Sequence, residues 1–132
     1  VKGLTDDRGK LHTNLDLIAE ITDEIVAHAW LQIAETSRNN YNDSFGRLKN
    51  NEALIHFCNT VPKYRGNNIY PFLIYNLAKK YFEQNPSGTL YITTSMDNYS
   101  SQKGLAKVGF KYLEDRLIFK ICKHLKFIIS AK

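Results

Sequence analysis

Apolar residues fall in short bursts along the chain, and the spacing within each burst indicates the element it forms. "IVAHAWLQI" (25–33) is apolar, β-branched at its start and too short for a helix, so it predicts a strand. The Asn- and Ser-rich "RNNYNDS" (38–44) is turn chemistry, and "FGRLK" (45–49) reads as a short strand. Asn50 and Asn51 make a tight turn into "EALIHFCNTV" (52–61), a longer strand, and the three strands together predict an antiparallel meander. Residues 1–16 are polar and weakly patterned, which predicts a loop or the end of an incomplete element.

Beyond residue 67 the period changes. Ile69, Phe72, Leu73, Leu77 and Tyr81 recur at helical spacing, so 68–84 predicts an amphipathic helix, with Pro71 tolerated in the first turn where its missing N–H has no intrahelical partner. "NPSG" (85–88) ends it, and "TLYITTSM" (89–96) is a strand rich in Thr, Tyr and Ile. "NYSSQKGLAKVG" (98–109) predicts a short helix capped by Asn98 or Ser100 and stopped by Gly109. "FKYLEDRLIFKIC" (110–122) makes one long or two short strands, and the basic tail (123–132) adds an edge strand. Strand–helix–strand at the centre requires a parallel pair with a right-handed crossover. The fold class is therefore α/β: a mixed, mostly antiparallel twisted sheet with a central parallel pair and flanking helices, one on each side. Residues 1–132 read as one domain, with no repeat or linker.

Composition narrows the function. No run of about 18 apolar residues exists to span a membrane, and no secretory signal is visible at the start. Cys58 and Cys122 sit in separate apolar runs without metal or disulfide spacing, so buried free thiols in a reducing cytoplasm are expected, and no metal site. The sequon at Asn98 is discounted for the same reason of compartment. A net charge of +5 and a pI near 9.2 favour an anionic partner: nucleic acid, a membrane surface or a polyphosphate cofactor. Lys120, Lys123, Lys126 and Lys132 read as a solvated face. The 8 tyrosines do not alternate with basic residues along one strand, and no nucleic-acid motif is present, so a nucleic-acid module ranks last.

The candidate chemistry lies in "VPKYRGNNIYPFL" (61–73), a strand, a short loop and a helix start. The first N–H groups of a helix lack internal partners, and the macrodipole adds roughly half a positive charge there, so phosphates bind such ends. Gly66 permits close approach to the backbone, Asn67 and Asn68 tolerate left-handed or capping conformations, and Arg65 adds a forked cation. The stretch carries neither the Gly-Lys-Ser/Thr of a P-loop nor a dinucleotide G-x-G-x-x-G.

Taken with "NYSSQKGLAKVGF" (98–110), it resembles the GNAT N-acetyltransferase superfamily over roughly residues 24–121. Arg65 takes the first position of the acetyl-CoA pyrophosphate loop. Asn98, Ser101, Lys107, Gly109 and Phe110 take places in the family's second segment. Asn68 and Tyr70 stand where the family has small residues, and Leu105 replaces the tyrosine that often protonates the leaving thiolate. The N-terminal elements that usually shape the acceptor site look short or missing in residues 1–24.

The resemblance implies transfer of an acetyl group from acetyl-CoA to an amine, either of a small molecule or of a protein. Cys58, Asn59, Thr60 and Val61, with Phe57, take the positions that pair with pantetheine and offer oxyanion donors. The amides of Arg65, Gly66, Asn67, Asn68, Ile69 and Tyr70 take the pyrophosphate, Asn98 the pantetheine arm, and Ser101 the thiol end. Glu52, which precedes Arg65 by thirteen residues, is the first candidate base. His56 is the second, and strand alternation sets it on the face of Leu54 and Cys58. His28 and Trp30 share a face and are candidates to line the acceptor site. A non-catalytic acyl-CoA-binding domain is the alternative, and a homodimer is compatible with either.

Overall fold

The main sheet is built around two long strands, β3 (Glu24–Ile33) and β6 (Glu52–Thr60), paired antiparallel. The computed structural model describes residues 2–3, 14–34, 41–42, 45–122 and 125–131, with side chains for 17–34, 41–42 and 45–115. On the outer side of β3 lie β2 (Asn14–Ile21) and then β1 (Lys2–Gly3); on the far side of β6 lies β7 (Thr89–Ile92), its parallel neighbour. β2 enlarges the sheet expected from sequence, since residues 14–16 had read as part of a loop. Its hairpin to β3 closes through Thr22 and Asp23, both left-handed at φ 51° and 63°, a two-residue turn whose twist matches that of the strands.

The expected meander does not form. β3 pairs directly with β6, and the stretch between them makes only a two-residue ribbon, β4 (Tyr41–Asn42) with β5 (Gly46–Arg47), off the sheet. Phe45 and Leu48 turn inward instead and pack on Leu54 and Tyr91, which buries more apolar surface than an exposed edge strand of this length.

Helix α1 (Ile69–Gln84) crosses from β6 to β7 and covers one face, here the inner face. Leu73, Ile74, Leu77 and Tyr81, at one-turn spacing, pack on Leu17, Val26, Ala29, Leu31, Ala53 and Ile55. Each such aliphatic burial stabilises the fold by about 1.5–3 kcal/mol. Helix α2 (Tyr99–Val108) does not cover the opposite face. Its buried Leu105 joins the same core, and its Gly104 lies against Tyr70 and Pro71 of α1. The opposite, outer face carries the Phe45–Leu48 cluster.

β7 stops at Ile92, four residues short of expectation, because β6 diverges from it there. β8 (Asp115–Cys122) and β9 (Leu125–Ala131) form a hairpin of their own. The segment 110–114 that had read as strand is loop. The side chains of Cys122 and of the lysine cluster at 120, 123, 126 and 132 lie outside the described residues. Among the described residues no helix is long and apolar enough to cross a membrane.

One lock joins α1 to the turns that lead into β6 and β7. The fully buried Tyr81 donates its hydroxyl to Asn51 O at 2.8 Å, and a Cβ on Gly88 would collide with that same hydroxyl. Gly88→Ala is expected to destabilise the fold by about 1–3 kcal/mol, and Tyr81→Phe by about 1 kcal/mol, in urea titrations.

Candidate functional site

The parallel pair β6–β7 is in register from Glu52 opposite Thr89 to Ile55 opposite Ile92, and then β6 runs on to Thr60 with only β3 beside it. Just past this divergence β6 is irregular. Trp30 pairs with His56 but His28 pairs with Asn59, so the register shifts by one, and Phe57 stands at φ 48°. This is a β-bulge. It leaves a stretch of backbone unpaired, and a bulky residue at positive φ stores strain of about 1–3 kcal/mol.

The bulge also changes which side chains share a face. Ala53 and Ile55 point to the inner face, and Leu54 to the outer. Without the bulge Cys58 would follow Leu54 and His56 outward, as alternation predicts. With one extra residue inserted, Cys58 turns inward and packs on the α1 core, while His56 stays outward. Burial pushes the Cys58 thiol up to about 12, which leaves it an inert neutral group.

The loop after β6 is held at several points. Val61 donates its N–H to Val26 O at 2.8 Å and so offers none to a ligand. Pro62–Tyr64 form a 3-10 turn tied to Glu24 by Lys63 Nζ and the Tyr64 hydroxyl, both at 2.9 Å, and these bonds lower the carboxyl's pKa. Arg65 Nε donates to Thr60 O at 3.0 Å, which fixes the guanidinium at the loop while its remaining donors stay exposed. Gly66 (φ 83°) and Asn68 (φ 57°) are both left-handed, and a Cβ on Gly66 would meet nothing within 4 Å, so the loop's outer side is open. Asn68 is the residue before α1, and its side chain makes no cap bond. The N–H groups of Ile69 and Tyr70, in the first turn, have no intrahelical partners.

α2 forms the facing wall. Asn98, rather than Ser100, caps it, accepting Ser101 N–H at 3.1 Å, and Gly109 closes it at φ 104° as expected. Ser101 Oγ and the Tyr70 hydroxyl are hydrogen-bonded at 2.9 Å across the two helices, and Lys107 Nζ donates to Asn68 Oδ1 at 3.3 Å. Burial pushes Tyr70 up to about 12, so it is a phenol and not a phenolate at neutral pH. Leu105 is buried packing with no proton to give. Together these elements line a cleft of about 1700 Å³, larger than the roughly 300–1000 Å³ of ordinary small-molecule sites.

The two base candidates are separated. Glu52 stands at the far end of β6, roughly 16 Å of extended chain from Phe57. Its carboxylate already accepts from Lys49 N–H at 2.7 Å and the Tyr91 hydroxyl at 3.2 Å. His56 lines the cleft at the bulge. Both its ring nitrogens are buried without a partner among the described residues, and that desolvation lowers its pKa from the usual 6.5. Trp30 pairs with His56 and His28 with Asn59, so both predicted acceptor residues lie on the outer face beside it. The bulge itself was missed, and its only sequence signal was an ordinary "HFC".

The sequence profile of the acetyltransferase (GNAT) family matches residues 4–110, and the chain belongs to that family. Its fold is similar to that of an aminoglycoside acetyltransferase, meta-AAC0020, from an uncultured soil metagenomic sample, in complex with trehalose. The TM-score is 0.65 at 11% identity, over 90% of this chain and 75% of that one. Aminoglycoside N-acetyltransferase AAC(6')-Iy in complex with CoA gives a TM-score of 0.60 at 19% identity, over 83% and 76% of the two chains. Ribosomal-protein-alanine N-acetyltransferase from Brucella melitensis gives 0.59 at 15%, over 89% and 73%. No protein in a search of curated sequences matches the chain.

The contact between the helices is tight enough to test. A Cβ on Gly104 would lie 3.1 Å from Tyr70 Cδ1 and 3.3 Å from Pro71 Cγ. Gly104→Leu is expected to cost about 1–3 kcal/mol in chemical denaturation and to part the Tyr70–Ser101 bond.

Proposed function

We propose that the protein transfers an acetyl group from acetyl-CoA to a primary amine. The observation that carries this reading is the open, left-handed loop Arg65–Tyr70 at the start of α1, placed at the mouth of a diverging parallel strand pair. The residues fit the anionic end of that substrate. Free N–H groups of the first helical turn, the Arg65 guanidinium and Lys107 supply donors and positive charge, and Gly66 leaves the approach clear. The edge of β6 that β7 no longer covers past Ile55 is available to the extended arm, with Asn59 and Thr60 along it.

His56 takes the proton of the attacking amine. Its unpartnered nitrogens and lowered pKa keep the imidazole neutral and ready to accept. The amine nitrogen attacks the thioester carbonyl and forms the C–N bond. Backbone N–H groups freed by the bulge at Phe57 stabilise the oxyanion. The C–S bond then breaks, and the sulfur leaves as a thiolate that takes a proton from solvent. The Tyr70–Ser101 hydroxyl pair on the same wall, protonated at neutral pH, donates a hydrogen bond to it. Glu52, committed to Lys49 and Tyr91, orders the far end of β6 rather than the chemistry. A non-catalytic acyl-CoA-binding role draws support from Leu105, which stands without a hydroxyl.

Arg65→Glu sets a negative charge against the phosphates and is expected to abolish acetyl-CoA binding in calorimetry; unchanged affinity overturns the assignment of this loop. His56→Gln is expected to lower kcat roughly 10²–10⁴-fold with acetyl-CoA affinity kept, and binding with no turnover of any amine selects the non-catalytic role. Because the His56 pKa is depressed, the stability its neutral form contributes is full above pH 6.5 and is lost as pH falls through the folded-state value. The acid limb of kcat/KM, corrected for free amine, accordingly lies below pH 6.5 and disappears in the Gln variant.

A further inference from the structure

We propose that the acceptor is a monoamine with a flat aromatic body, held against the outer face of the sheet with its nitrogen at His56. The inference rests on the acetyl-transfer reading and names the substrate class of that site. The outer face beside the bulge is aromatic. Trp30 lies directly across the strand pair from His56 and is 41% exposed; Phe57, ring to ring with His56 at 4.9 Å, is 75% exposed. Tyr41 is brought over the same face because Gln32, two residues from Trp30, binds Tyr41 O and Asn42. Phe45 and Tyr91, with ring centroids 4.7 Å apart, close the next stretch along β6. Large aromatic surface left open around unpartnered buried nitrogens is what a ligand with an apolar body and one polar atom completes.

Charge selects among amines. The whole chain carries +5, and the described residues lining the cleft include Arg65, Lys103, Lys107 and Lys111 against the carboxylates Glu114 and Asp115. That field repels a polycation, whereas a single ammonium is compensated by the faces of the surrounding rings before it yields its proton. Stacking an aryl group on Trp30 and Phe57 then supplies most of the affinity.

The test is calorimetric titration of phenethylamine and of spermidine into the protein, with and without saturating CoA. Phenethylamine is expected to bind at least tenfold more tightly than spermidine. Trp30→Ala, a truncation of an exposed ring outside the cofactor cleft, is expected to weaken phenethylamine at least fivefold while CoA affinity holds. Equal or tighter binding of spermidine, or no phenethylamine binding in either state, overturns the acceptor inference. Absence of CoA binding to the wild-type chain overturns the transfer reading instead, so the two failures are distinguishable.

Discussion

The site depends on the parting of two parallel strands. β6 and β7 share hydrogen bonds for four residues and then separate, because β6 bulges at Phe57 while β7 ends at Ile92. A parallel pair that stayed closed would bury every backbone donor of β6 between β3 and β7. The separation frees one edge of β6, and the crossover helix that joins the two strands brings its N-terminus to the opening. The donors of a strand and of a helix end thus converge on one cleft, at the carboxyl end of the sheet where such folds bind ligands.

The bulge has a second effect, on polarity. One inserted residue shifts Cys58 inward to the α1 core and leaves His56 outward, unpaired and partly desolvated. The inner side of the opening becomes apolar packing with the Tyr70–Ser101 hydroxyl pair, and the outer side becomes an aromatic surface with a neutral imidazole. The two sides of the opening thus present different chemistry, and both reach the edge of β6 that β7 leaves free.

Much of this was legible residue by residue. Pro71 and the spacing of Leu73, Leu77 and Tyr81 marked α1 because helical period and first-turn tolerance are local properties. Asn98 and Gly109 bounded α2 because caps act within four residues. The alternation Leu15, Leu17, Ala19, Ile21 also encodes β2, but its turn uses Thr22 and Asp23 without the glycine that normally signals a two-residue hairpin, and the strand went unread. The short "FGRLK" looked like a strand by composition, and the packing of Phe45 and Leu48 on Leu54 and Tyr91 took it off the sheet.

By itself the sequence determined the order of the elements from β6 onward, the Gly- and Asn-bearing loop at residues 65–70 and the family to which the two motifs point, since each depends on neighbours along the chain. Which residues share a face was decided only in three dimensions. A β-bulge is a mismatch between two strands, and its cause lies in β3 and the core beneath as much as in "HFC". That mismatch set His56 beside Trp30 and apart from Cys58. Tertiary hydrogen bonding likewise committed Glu52 to Lys49 and Tyr91, far from the opening. Spacing along one strand counts residues, but the chemistry is set by partners on the strands and helices around it.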